Sequence, residues 1–272
     1  MFREMDAAAT RHETPCGDGT MVWRVWNAGA GSPLVFLHGG NGSWRHWVRN
    51  IGAFARDRCV IAPDLPGLGE SALPPDAHDT GSVARMVAEG LPQVAEAPVD
   101  LVGFSFGANI GGQAASLLGP RVRSLMIVGA GSLGTARGDT PLEKIRDKEG
   151  EARIAAHRRN LAALMIADPD KIDDDALAIQ EWNTVHARFR SRGFATANQL
   201  GEALTRVAAP VAALWGGRDQ VAAATLEARI ATVRAAHPAA PVTLIPDAGH
   251  WVAYEAPDAF NAALTGWLIR AA

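Results

Sequence analysis

Ser105, Asp219 and His250 lie far apart in the chain, and their types together could make a nucleophile. A serine hydroxyl attacks poorly at neutral pH. It needs a base to take its proton, and an imidazole base needs a carboxylate to fix its tautomer and steady the imidazolium. Ser105 stands in Gly103-Phe104-Ser105-Phe106-Gly107, which fits Gly-x-Ser-x-Gly. An apolar stretch with Val99, Leu101 and Val102 precedes it, and a helix-like stretch from Ala108 to Leu118 follows. Strand, sharp turn and helix would lift the hydroxyl out of a sheet's edge, and the flanking glycines keep two side chains out of a crowded turn. With 28 glycines in the chain such a match also arises by composition, so its surroundings decide.

Those surroundings alternate strand and helix patterns. After a polar lead, Arg11 to Pro15 and Met21 to Trp26 read as an antiparallel pair about the turn Cys16-Gly17-Asp18-Gly19. Leu34-Val35-Phe36-Leu37 has the unbroken apolar character of a strand buried on both faces, and it ends in His38-Gly39-Gly40-Asn41-Gly42. A helix is predicted from Ser43 as N-cap to about Arg56, then a strand Cys59-Val60-Ile61-Ala62, a proline- and glycine-rich loop from Pro63 to Ser71, and a helix from Ser82 to about Ala95. Ser124 to Gly129 is the next strand after the Ser105 turn. This rhythm predicts a parallel sheet with helices on both faces.

The rhythm then breaks. Thr140-Pro141-Leu142-Glu143 reads as a capping box opening a charged helix that ends before Asp168-Pro169, Asp173 can cap a second, and a third runs from about Ala195 to Val207. Strand Val211 to Trp215 resumes the pattern and leads to Gly216-Gly217-Arg218-Asp219-Gln220 and a helix to about Ala236. Val242 to Ile245 is the last strand, Pro246 to Trp251 the loop after it, and Pro257 to Arg270 the closing helix. Residues 1–134 and 207–272 therefore read as two parts of one core, and 135–206 as a helical insertion. His38, Ser105, Asp219 and His250 all follow strands, where functional groups collect in open sheets.

Composition narrows the partners. The chain has 272 residues, 48% hydrophobic and 20% charged, enough for one large core with a modest insertion. Its 26 basic and 29 acidic side chains leave a net charge of −3, so no basic field would draw it to nucleic acid or an anionic membrane. Cys16 and Cys59 are too few for a disulfide framework and lack metal-ligand spacing; neither metal nor cofactor is expected. Gly67-Leu68-Gly69 lacks the third glycine of a dinucleotide-binding turn. With no apolar leader near the start and no bilayer-length stretch, a reducing cytoplasm is the expected compartment.

The Ser105 turn, the Gly216-Gly217-Arg218-Asp219 stretch and the Asp247-Ala248-Gly249-His250 stretch, in the order Ser, Asp, His, together resemble the α/β-hydrolase superfamily over essentially the whole length. The resemblance implies an α/β fold with a mostly parallel eight-stranded sheet, helices on both faces and an inserted helical cap. It implies Ser105 as nucleophile, His250 as base and Asp219 as acid. Asp247 and Glu255 compete for the acid role but stand so close to His250 in sequence that a separate loop offers easier geometry. It also implies an oxyanion hole from the backbone N–H groups of Phe106 and Gly40, although Gly39-Gly40 could be only a tight turn.

A serine at the turn, rather than an aspartate, argues against haloalkane dehalogenases and epoxide hydrolases and leaves esterases, lactonases, perhydrolases and carbon–carbon hydrolases of aromatic ring cleavage. His38-Gly39-Gly40-Asn41-Gly42, Arg49-Asn50-Ile51-Gly52, Gly131-Ser132-Leu133-Gly134 and His250-Trp251 resemble the last group. Phe104 and Ala108 depart from its turn, and Glu181-Trp182 occupies the place of its carboxylate-binding arginine, which Arg188, Arg190 or Arg192 would then have to replace. Gly39, Asn41, Trp182 and Trp251 are the candidate substrate contacts. The first expectation is a serine hydrolase cleaving a small carboxylic ester; a carbon–carbon hydrolase is the alternative, and a slow-turnover ligand receptor the alternative from another class. The partner is a small-molecule substrate, and the charged cap helices could equally form a homodimer contact.

Overall fold

The computed structural model describes residues 2–138 and 140–271, and Arg192 by its backbone alone. Eight strands form one sheet: β1 Thr10–Cys16, β2 Gly19–Trp26, β3 Leu34–Leu37, β4 Val60–Pro63, β5 Val99–Phe104, β6 Val122–Val128, β7 Val211–Gly216 and β8 Val242–Ile245. Their order is β1-β2-β4-β3-β5-β6-β7-β8; β2 pairs antiparallel with β1 and β4, and every other pairing is parallel.

The helices are α1 Phe2–Ala7, α2 Ile51–Phe54, α3 Thr80–Val94, α4 Phe106–Leu118, α5 Gly150–Leu164, α6 Asp174–Val185, α7 Gln199–Leu204, α8 Leu226–Ala236, α9 Val252–Glu255 and α10 Pro257–Arg270. Among the described residues none is long and apolar enough to cross a membrane.

The central strands bury all their residues because both faces of the sheet are covered. Alternate residues go to opposite sides. Val35, Leu37, Leu101, Leu125, Ile127 and Trp215 join one core layer, while Phe36, Val102, Phe104, Val128 and Leu214 join the other with Phe260, Leu264 and Trp267 of α10. Register then sets the site: Leu37 lies beside Gly103, Phe104 beside Val128, Val128 beside Leu214, and Gly216 beside Ile245. The loops leaving β3, β5, β7 and β8 therefore emerge along one edge.

Four local expectations are corrected. The helix predicted from Ser43 to Arg56 is a 3-10 turn, Trp44–Trp47, followed by the short α2. Ser43 does cap it, accepting from the Arg45 N–H, but the N–H groups of His46, Val48 and Asn50 each bond the carbonyl three residues back, the tighter 3-10 pattern, and the Trp44 N–H is taken by Asp64 Oδ1. The capping box at Thr140–Glu143 opens no helix; the Glu143 N–H goes to Asn160 Oδ1 at 2.8 Å and its carboxylate to Arg159, so this stretch lies irregularly along α5. The third helix shrinks to α7 because the chain before it is used otherwise: Ala195 O and Ala197 O accept from Ser132 and Gly134. The polar lead contains α1, fastened by Asp6 to Arg24. α7 packs on the core with Leu200 and Leu204.

Candidate active site

Ser105 joins β5 to α4 with φ 51° and ψ −109°, a left-handed conformation that costs a residue with a Cβ and persists where its surroundings enforce it. Enforcement comes from close packing. A Cβ on Gly103 would stand 2.3 Å from Gly107 O, and one on Gly107 would stand 2.3 Å from Leu37 O and 2.5 Å from His38 O. Although Ser105 is the N-cap of α4, its hydroxyl caps nothing. It lies 3.0 Å from His250 Nε2 instead.

Asp219 and His250 come from the loops after β7 and β8, and both are buried, 1% and 4% exposed. His250 Nδ1 is 2.8 Å from Asp219 Oδ2. The other carboxylate oxygen accepts the N–H groups of Val221 at 2.8 Å and Ala222 at 3.3 Å, which turns Oδ2 toward the imidazole. With Nδ1–H donating to Asp219, Nε2 is left as the acceptor for the serine proton. Asp247 is exposed, and the Glu255 carboxylate is occupied by the N–H groups of Gly249, Ala167 and Asp168.

The loop after β3 runs alongside. Gly40 and Phe106 are neighbours: a Cβ on Gly40 would be 3.6 Å from Phe106 Cβ. Both residues, with Gly39, Asn41, Ser105 and His250, line a cavity of about 950 Å³, within the range of small-molecule sites. Two buried histidines hold this loop. His38 Nδ1 donates to Gly39 O at 2.8 Å while its Nε2 accepts the Leu65 N–H at 2.8 Å, and the Gly39 N–H donates to His46 Nδ1 at 3.2 Å. Burial lowers the pKa of both, and that of His46 lies well below the ordinary value, with the charges of His38 and His250 adding to the effect. Both are neutral supports.

The tryptophans lie elsewhere. Trp251 is fully buried, its Nε1 donating to His46 O at 2.9 Å, and Trp182 stacks between Arg45, 3.7 Å from its ring centroid, and His186. Neither lines the cavity. Large apolar rings are drawn to packing partners and cations as readily as to a pocket. Glu181 is likewise turned away, bonded to Arg153 and His157, and Arg153 lowers its pKa. Of the candidate arginines, Arg190 lines the cavity, Arg188 donates to Gly69 O and Ser71 O, and the side chain of Arg192 lies outside the described residues.

Sequence reasoning missed His46, Glu255 as a support, and Arg229. The last is wholly buried and donates to Ala130 O at 2.7 Å and Val221 O at 2.9 Å, bracing the turn that carries Asp219. No spacing signals these roles, because each depends on backbone groups distant in sequence.

Residues 34–263 match the Alpha/beta hydrolase family. Over 93% of its length the chain is 30% identical to the dihydrolipoyllysine-residue acetyltransferase component of the acetoin cleaving system of Pseudomonas putida, of which it covers 67%. It is 38% identical to the 2-hydroxymuconate semialdehyde hydrolase of Pseudomonas sp. (strain CF600) over 38% of each chain. An esterase from Rhodococcus sp. ECU1013 has the same fold, with a TM-score of 0.79 and 23% identity, covering 96% of this chain and 99% of that one.

Proposed function

The chain belongs to the alpha/beta hydrolase family, and we propose that it is a serine hydrolase cleaving small carboxylic esters through an acyl-enzyme. One observation carries this reading: the unbroken line from Asp219 Oδ2 through His250 to Ser105 Oγ, at 2.8 and 3.0 Å, opening on the cavity. His250 takes the Ser105 proton as Oγ attacks the ester carbonyl, and Asp219 steadies the imidazolium. The N–H groups of Gly40 and Phe106 form the oxyanion hole. His250 then gives the proton to the departing alkoxide, and water activated by the same imidazole releases the acid. Leu161, Leu164, Met165 and Phe189 line the cavity and suit an apolar acyl or aryl part.

A second reading, carbon–carbon hydrolysis of a ring-cleavage dienoate, is favoured by charge. Arg137, Lys144, Arg146 and Arg190 line the cavity against Glu143 and Asp147, a basic excess suited to a carboxylate. There His250 would first move a proton within the substrate before the bond is cleaved.

Turnover of p-nitrophenyl acetate and butyrate, compared with that of a 2-hydroxy-6-oxo-dienoate, separates the two. Faster ester turnover is expected. A higher kcat/KM for the dienoate would replace the ester reading with the second, and a ligand-induced rise in Tm with turnover of neither would point to a receptor.

A further inference from the structure

The segment between α6 and α7 lines the cavity through Phe189, Arg190, Ser191 and Ala195 and is held at both ends. At its start the N–H groups of Arg188 and Phe189 both donate to Gly67 O at 2.9 Å, and the Phe189 ring packs on Phe106 with centroids 5.6 Å apart. At its end Ser132 binds it twice: the Ser132 N–H donates to Ala195 O at 2.9 Å and the Ser132 hydroxyl to Phe194 O at 2.7 Å.

Between these anchors sits Ser191, 7% exposed and lining the same cavity as Ser105. A Cβ on Gly40 would stand 2.3 Å from Ser191 Oγ and 3.1 Å from Ser191 Cβ. The hydroxyl therefore lies directly against Gly40, on the side where Phe106 is also a neighbour. Among the described residues it makes no hydrogen bond, and it is not sealed from the cavity's open space. A hydroxyl withdrawn from bulk water and left without a partner is stabilised when a ligand accepts its hydrogen bond.

We propose that Ser191 is a catalytic residue whose hydroxyl donates a third hydrogen bond, beside the N–H groups of Gly40 and Phe106, to the substrate oxygen that becomes negative as Ser105 attacks. The proposal rests on the serine-hydrolase reading above. As the bond from Ser105 Oγ to the carbonyl carbon forms, the carbonyl π pair moves onto oxygen and the Ser105 proton moves to His250. Ser191 keeps its own proton throughout and donates only the hydrogen bond. When the tetrahedral species collapses, the bond to the leaving oxygen breaks and His250 returns the proton to it. The segment between α6 and α7 thus contributes to the chemistry as well as to the cavity wall, and its two anchors preorganise the hydroxyl.

The test compares wild type, Ser191→Ala and Ser105→Ala on p-nitrophenyl butyrate, and measures inhibition of wild type and Ser191→Ala by an arylboronic acid, which forms a tetrahedral adduct on the nucleophile. For Ser191→Ala, kcat is expected to fall by about tenfold to a hundredfold with KM within about threefold, and boronic acid affinity to fall by a similar factor. Fluorophosphonate labelling of Ser105 in that variant would show an intact nucleophile. A kcat within about twofold of wild type, or a lower kcat with unchanged boronic acid affinity, would overturn the role of Ser191. Ester turnover that survives Ser105→Ala would overturn the serine-hydrolase reading itself.

Discussion

The Glu255 carboxylate accepts the N–H of Gly249, the residue before His250, at 2.7 Å. The same Oε2 accepts the Ala167 N–H at 3.0 Å and Oε1 the Asp168 N–H at 2.8 Å, while the Trp251 N–H on the other side of His250 donates to Met165 O at 2.7 Å. The loop bearing the imidazole is therefore tied on both sides to the chain leaving α5. Glu255→Gln can offer only one oxygen to three donors. It should lose about 1–3 kcal/mol of stability in urea titration, with a lower kcat as His250 loses its fixed position.

Acid should weaken the fold through the two histidines that hold the Gly39 loop. Both have folded-state pKa values below the ordinary one, chiefly through burial. Unfolded, they take up protons near pH 6.5, so below that value the unfolded state binds more protons than the folded one. Their contribution is complete above about pH 6.5 and declines as pH falls, by up to about 1.4 kcal/mol per pH unit for each histidine. Urea midpoints at pH 5 and pH 7.5 should differ less for His46→Gln than for wild type; an equal difference would remove His46 from this account.

Gly107→Ala should be among the most damaging small substitutions in the chain. Its Cβ would press on the carbonyl oxygens of Leu37 and His38, which belong to backbone and cannot swing aside. A loss of about 3 kcal/mol or more, or failure to fold, is expected in thermal denaturation.

Trp182→Ala should act on stability rather than on substrate. Its ring covers the buried Arg45 guanidinium and lies outside the cavity lining. KM for p-nitrophenyl butyrate should change by less than about twofold while unfolding free energy drops by about 1–2 kcal/mol. A large rise in KM with unchanged stability would restore the tryptophan to the substrate site.

What could be read from the sequence was what is local. The glycines around Ser105 announce a turn because the whole pattern lies within five consecutive residues, although the carbonyls that enforce Gly107 are those of Leu37 and His38, and the β3 and β5 strands announce themselves as apolar runs. The stretch around Glu143 misled because Asn160 and Arg159 take the groups of its capping pattern, and the Ser43 helix because the distant Asp64 takes the Trp44 N–H and the chain tightens to bonds three residues back. The supporting roles of Glu255 and Arg229 and the place of Ser191 beside Gly40 could not be read. Each matters through a neighbour that only folding supplies: Gly249 with Ala167, Val221 with Ala130, and Gly40.

Whether Ser105 is a nucleophile activated by His250 and Asp219 is tested by covalent labelling with a fluorophosphonate, with the modified peptide identified by mass, in wild type, His250→Ala and Asp219→Asn. An adduct on Ser105 is expected in wild type, formed at least about a hundredfold more slowly in His250→Ala and also slowed in Asp219→Asn. An unlabelled Ser105 in wild type, or labelling at the same rate without His250, would contradict it.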